Sequence, residues 1–142
     1  MTEPTVASLL RTNARFYEAF DALDFEALSE LWEHSDRAFC VHPGWNALRG
    51  ARPVLDSWRR IIENTAAISF TLTHVQARVE GRLGIVTQYE TITSRMGSER
   101  QTSSAVTTNL YGFEAASGQW RLFHHHAANA VAPPEGDEGL LN

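Results

Sequence analysis

Apolar residues recur at Val6, Leu9, Leu10, Phe16, Tyr17 and Phe20, a spacing that predicts an amphipathic helix over that stretch. Asp24 then offers a side-chain oxygen to free backbone N–H groups. Phe25, Leu28, Leu31 and Trp32 follow at helical spacing, so a second short helix runs from there towards His34. Arg37 to His42 alternate as a short strand, which Pro43-Gly44 breaks. Gly50 and Pro53 mark the start of a third helix, with Val54, Leu55, Trp58, Ile61 and Ile62 on one buried stripe. After Asn64 the period falls to two: Ile68, Phe70 and Leu72 alternate with Ser69, Thr71 and Thr73 in a strand that continues to Val79. Glu80-Gly81-Arg82 turns into a strand from Leu83 to Ser94, and Met96-Gly97-Ser98-Glu99 into one from Gln101 to Phe113. Ser117-Gly118 turns into the last, Trp120 to Ala128.

Helices first and a long meander afterwards is the order of an α+β fold, with N-terminal helices packed on one face of a strongly curved antiparallel sheet. Strands of this length bend, and the bend leaves room between sheet and helices for a small molecule. The expected organisation is one domain over 1–132. A flexible, exposed tail is expected over 133–142, which begins Pro133-Pro134-Glu135-Gly136-Asp137.

The chain of 142 residues is long enough to bury a core without disulfides or structural metal. Its formal net charge is -5 and its longest basic run is Arg59-Arg60, so nucleic acid and anionic membranes are not expected partners. Cys40 is the only cysteine, which excludes an intrachain disulfide framework and suits a reducing, cytoplasmic location. There is no secretory leader pattern and no apolar run of membrane-spanning length. G-x-S-x-G, phosphate-cradling glycine loops and H-E-x-x-H are all missing, so the common hydrolase and nucleotide signatures do not apply.

The most unusual local feature is His124-His125-His126, where alternation sends His124 and His126 to one face and His125 to the other. Two imidazoles on one wall suit acid–base work, hydrogen-bonded wall positions or an interface. A metal would need further ligands such as Cys40 and His42. Paired residues on two strands are a weak metal signal, and no metal or cofactor is expected. His42 stands at a strand end, where it either lines a site or bonds the following turn. Tyr17, Trp45 and Trp58 offer aromatic surface with one polar atom each; Trp45, in a loop, suits a pocket rim, whereas Trp32 and Trp58 lie on helix stripes that suit the core. Glu90 lies mid-strand, and on the inner face burial would push its pKa up into acid–base range. Asn109 could bond a carbonyl or enolate, or tie strands together.

Three stretches together resemble the SnoaL-like branch of the nuclear transport factor 2-like superfamily: Asn13 to Phe20 with Leu28 to Trp32; Cys40-Val41-His42-Pro43-Gly44-Trp45 through Gly50 to Trp58; and Trp120 to Ala127. The resemblance spans roughly Ala7 to Ala128. It implies a cone-shaped α+β fold, usually a homodimer formed through the open face of the sheet, with a cavity between sheet and helices. Relatives include polyketide cyclases, ketosteroid isomerase and dehydratases, as well as binding and association domains. Carried over by position, the cavity residues are His42, Trp45, Trp58, Glu90, Asn109, His126 and His124. The resemblance thus implies cofactor-free proton transfer on a small hydrophobic or carbonyl-containing molecule, with His126 or Glu90 as base. A ligand-binding or association domain is the alternative.

Overall fold

The computed structural model describes residues 3–135. Helix α1 (Val6–Asp21) opens on a reciprocal capping box in which Thr5 and Ser8 each accept from the other's backbone N–H, and α2 (Phe25–Leu31) is capped by Asp24, as its sequence predicts. Strand β1 (Phe39–Val41) and a two-residue strand β2 (Leu48–Arg49) follow, the second too short to leave an alternation signal. Helix α3 (Ala51–Glu63) starts after Gly50, whose φ of 91° is a left-handed conformation that favours glycine. Four long strands complete the chain: β3 (Ala67–Glu80), β4 (Leu83–Met96), β5 (Glu99–Glu114) and β6 (Gln119–Ala130). The expected tail lies outside the described residues beyond Glu135.

The strands form one sheet in the order β2-β1-β6-β5-β4-β3, with all pairs antiparallel except β1 with β6. This is the expected α+β cone: helices cover one face of a curved sheet. The short β1 docks beside the last strand, and that pairing brings Cys40 opposite His125. Register shifts between Thr73 and Gln76 and between Leu110 and Tyr111 are bulges, which bend the sheet. The core under the helices contains Leu9, Phe16, Phe20, Leu28, Trp32, Trp58, Val86, Trp120 and Leu122. Gly84 permits the closest helix contact, since a Cβ there would stand 2.6 Å from Leu9 Cδ1.

The second bulge decides which histidine points inward. Trp120 and Leu122 are buried, and simple alternation would carry that phase on to His124 and His126. However, Leu110 pairs with His124 and Tyr111 with Leu122, so Phe123 is an extra residue on β6. The inward phase therefore moves to His125 and Ala127, both buried. The expectation that His124 and His126 face the interior is corrected by this one-residue insertion. His126 is exposed, and His124 stacks on Phe39 of β1 at 4.7 Å on the outer face.

Candidate functional site

Four elements each turn polar side chains into the space between α1 and the sheet. From α1 come Asn13 and Tyr17, one helical turn apart; from β4 come Gln88 and Glu90; from β5, Asn109 and Tyr111; from β6, His125. All seven are buried. They form one connected network. Tyr17 donates its hydroxyl hydrogen to Glu90 Oε2 at 2.5 Å, and accepts from Gln88 Nε2 at 2.8 Å and Asn109 Nδ2 at 3.2 Å. Asn13 donates to Gln88 Oε1 at 2.9 Å, while its own oxygen accepts from Asn109 at 3.1 Å and from Tyr111 at 2.7 Å. Asn109 Oδ1 lies 2.7 Å from His125 Nδ1.

The hydrogen directions follow from counting donors. Reversing the amides of Asn13, Gln88 and Asn109 would surround the single phenolic hydrogen of Tyr17 with three acceptors, counting the Glu90 carboxylate. In the satisfied arrangement Asn109 Oδ1 is an acceptor, so His125 carries its hydrogen on Nδ1 and leaves Nε2 as a bare lone pair. Hydrogen bonds then run one way, from His125 through Asn109 and Tyr17 to Glu90. Burial pushes the Glu90 carboxyl up from its ordinary value, partly offset by Tyr17. Burial also holds His125 well below the usual imidazole range, with His42, His124 and His126 adding to the effect. Its resting form is neutral.

Beside His125 lies a second, aromatic layer. Trp58 packs edge-on against Phe16 at 5.4 Å, Phe20 at 5.0 Å, His42 at 4.6 Å and His125 at 5.3 Å. His42 is buried and lies 2.9 Å from Ser57 Oγ. Ser57 spends its own hydrogen on the Val54 carbonyl at 2.6 Å, so His42 donates from Nε2 and keeps Nδ1 bare. Outside His42 stands Trp45, 40% exposed, with its ring 4.7 Å away. Trp45, His42, Trp58 and His125 thus step from solvent into the interior.

Of the residues singled out in the sequence, Tyr17, His42, Trp58, Glu90 and Asn109 meet inside, and Trp45 covers them. His124 and His126 lie on the other face of the sheet, 6.4 Å apart, and so cannot join Cys40 and His42 around one ion within a single chain. Sequence reasoning did not single out Asn13, Gln88, Tyr111 or Ser57, and it assigned His125 the opposite face. The signal for Asn13 was a polar residue one turn before Tyr17 on an apolar stripe; for Gln88, the same strand phase as Glu90. The interior is filled by aromatic rings. Surface clefts of about 290 Å³ against Ile68, Ser94 and Arg95 and about 430 Å³ against Phe39 and Arg49 do not include Glu90, Asn109 or His125.

The neutral histidines give stability a defined acid limb. An unfolded chain binds a proton on His42 near 6.5, whereas burial pulls the folded group down to about 4. More protons are bound by the unfolded state between those values, so stability falls as pH drops through that window, by at most about 3 kcal/mol from His42. His125 acts in the same direction. Glu90 opposes both, because its folded carboxyl keeps a proton to higher pH than the unfolded chain does. Urea midpoints at pH 7, 5.5 and 4 should fall steadily, and a His42→Gln variant should have a flatter slope; an unchanged slope would remove His42 from this account.

Comparison with known proteins was consistent with this geometry. The SnoaL-like domain family matches residues 9–132. A candidate dehydratase of the nuclear transport factor 2-like family from Streptomyces avermitilis is 37% identical, with a TM-score of 0.82 over 89% of this chain and 96% of that one. A candidate calcium/calmodulin-dependent protein kinase type II association domain from Thiobacillus denitrificans is 24% identical, with a TM-score of 0.73 over 90% and 99%. A nuclear transport factor 2-like protein from Salmonella enterica shares the fold at 15% identity and a TM-score of 0.79, over 92% and 94%. None of the curated proteins matches.

Proposed function

The chain belongs to the SnoaL-like family of the nuclear transport factor 2-like superfamily, and from that premise we propose that it is an isomerase- or dehydratase-type domain that moves a proton on a small carbonyl compound. The observation that carries this reading is the one-way chain from His125 through Asn109 and Tyr17 to Glu90. A general base needs a free lone pair, a fixed ring and a means of accommodating the positive charge it acquires. His125 offers Nε2, Asn109 fixes the ring through Nδ1, and the aligned dipoles end on a carboxyl group. The reaction class needs no organic cofactor: His125 Nε2 takes the proton next to the carbonyl, and the protonated imidazole returns it to the product or to the departing hydroxyl.

His125→Gln tests the assignment, because glutamine can still bond Asn109 but is no base. Deuterium incorporation next to the carbonyl of cyclohexanone and acetophenone, followed by mass spectrometry in heavy water, should drop about 100-fold or more in the variant. A native-like circular dichroism spectrum would show that the loss is chemical. Wild-type protein that gives no enhancement over buffer would sink the reading.

A second reading has its own support. The interior is tightly packed with rings, and the outer face of the sheet leaves Val106 38% exposed beside Thr108 and Leu110. A homodimer through that face, with no turnover, fits an association domain. Sedimentation showing a dimer, together with no deuterium exchange in the same assay, would select it. No helix among the described residues is long and apolar enough to cross a membrane. A buried free Cys40 suits a reducing, cytoplasmic compartment.

A further inference from the structure

We propose that the interior site takes an uncharged, ring-sized molecule that presents a hydroxyl hydrogen to the paired imidazoles of His42 and His125, and that it rejects carboxylates and phosphates; the inference rests on the interior cluster being the working site, as proposed above.

Three observations lead there. The first is charge. The buried polar residues are Ser8, Thr12, Asn13, His42, Ser57, His74, Gln88, Glu90, Thr107, Asn109 and His125, with no lysine or arginine among them. An anion brought inside would lose its hydration with no cation to replace it, and would face the Glu90 carboxyl; an unpaired buried charge is among the costliest arrangements a protein can hold.

The second is hydrogen-bond polarity. Both histidines have their hydrogens committed to the protein, His125 to Asn109 and His42 to Ser57. His125 Nε2 has no partner, and His42 Nδ1 has only the Cys40 sulfur 4.0 Å away. The rings are 6.3 Å apart and both lie against Trp58, so two acceptors stand side by side. Acceptors select donors. Trp58 adds the opposite polarity, a buried indole N–H without an acceptor. A hydroxyl can give its hydrogen to an imidazole while its oxygen takes one from an indole. A carboxylate has nothing to give, and an ether lacks the hydrogen.

The third is shape. Phe16, Trp45 and Trp58 surround the imidazoles, and flat faces favour a ring. Access lies at Trp45, which is half in solvent and stands on a loop that turns at Gly44 with φ of 83°. A ring-sized guest takes up the place of the Trp45 side chain against His42. The hydroxyl is also the group a dehydration expels, so the same two imidazoles would hold the leaving group and accept the proton.

Phenol, anisole and benzoate are the probes, matched in ring and differing in the one group. Each is titrated at pH 7 into full-length protein and into Trp45→Ala, with the Trp58 indole N–H and the histidine ring signals followed by NMR. Phenol should bind at least about 10-fold more tightly than anisole or benzoate, a gap of about 1.4 kcal/mol, and the order should persist in Trp45→Ala with all affinities for ring compounds raised. Benzoate binding as well as phenol, anisole binding as well as phenol, or no movement of either signal with any probe in both proteins would overturn the ligand class. Nitrogen-15 spectra of the free protein separate this from failure of the proton-transfer reading. If His125 is the Nδ1–H tautomer and benzoate still wins, only the ligand class falls; if His125 is charged or carries its hydrogen on Nε2, the base assignment falls whatever the probes do.

Discussion

Trp58→Ala should lower stability by about 3–5 kcal/mol, the upper range for removing a large buried ring. Trp58 is 1% exposed and holds together three parts of the molecule that otherwise barely touch. Its ring meets Phe16 and Phe20 of α1, His42 after β1, and His125 of β6, and lies 6.5 Å from Trp32 at the end of α2. Most of these are edge-on contacts, so neighbouring rings are braced at right angles and cannot slide together to fill the space. The cavity would therefore stay largely open, which is the condition under which truncation costs most. In urea, at a slope of about 2 kcal/mol per molar, the midpoint should fall by roughly 2 M. Trp58→Phe keeps much of the volume and should lose less than half as much. A small loss for the alanine variant would mean that α3 closes onto the sheet by itself, and that Trp58 packs more loosely than its contacts imply.

Why the fold was so legible and the site less so can be traced to particular residues. Stripes such as Val54, Leu55, Trp58 and Ile62 announce a helix because burial requires only a period, and the capping Asp24 marks a boundary by its own chemistry. Inward-facing Glu90 was readable as an expectation for the same reason: strand phase is carried from Phe70 and Leu72 across the register to Ile92 and Glu90. The phase of His125 was not readable. It depends on Phe123, whose insertion into β6 leaves no composition signal, because a bulge at a phenylalanine looks like uninterrupted strand. Every side chain beyond it changes face. Network partners such as Asn13 and Gln88 were hidden for another reason: a polar residue on an otherwise apolar stripe is common, and only the spatial meeting of α1 with β4 and β5 reveals that each satisfies another.

Tyr17→Phe should cost about 2–5 kcal/mol, although it removes a single oxygen, because it strands two partners at about 1–3 kcal/mol each. Glu90 Oε2 and Gln88 Nε2 lose the bond given for each; Asn109 Nδ2 keeps Asn13. Tyr111→Phe is the matched control. Its hydroxyl reaches only Asn13 Oδ1, which keeps its bond from Asn109, so the loss there should be about 1 kcal/mol. The Tyr17 defect should also depend on pH in a direction the network dictates. Burial already raises the Glu90 carboxyl, and the Tyr17 hydroxyl is the first influence that pulls it back down. Without that hydroxyl the folded carboxyl rises further. A folded pKa above the unfolded value gives stability that is present below the unfolded value, near 4.3, and is lost as pH rises through the folded one. The penalty of Tyr17→Phe relative to wild type should therefore be larger at pH 8 than at pH 5. Adding Glu90→Gln should remove that pH dependence, since an amide has no charge to strand. Equal losses at both pH values would mean that Glu90 does not ionise inside the fold. The chain from His125 would then end on a neutral acid, leaving the base only dipoles to offset its charge.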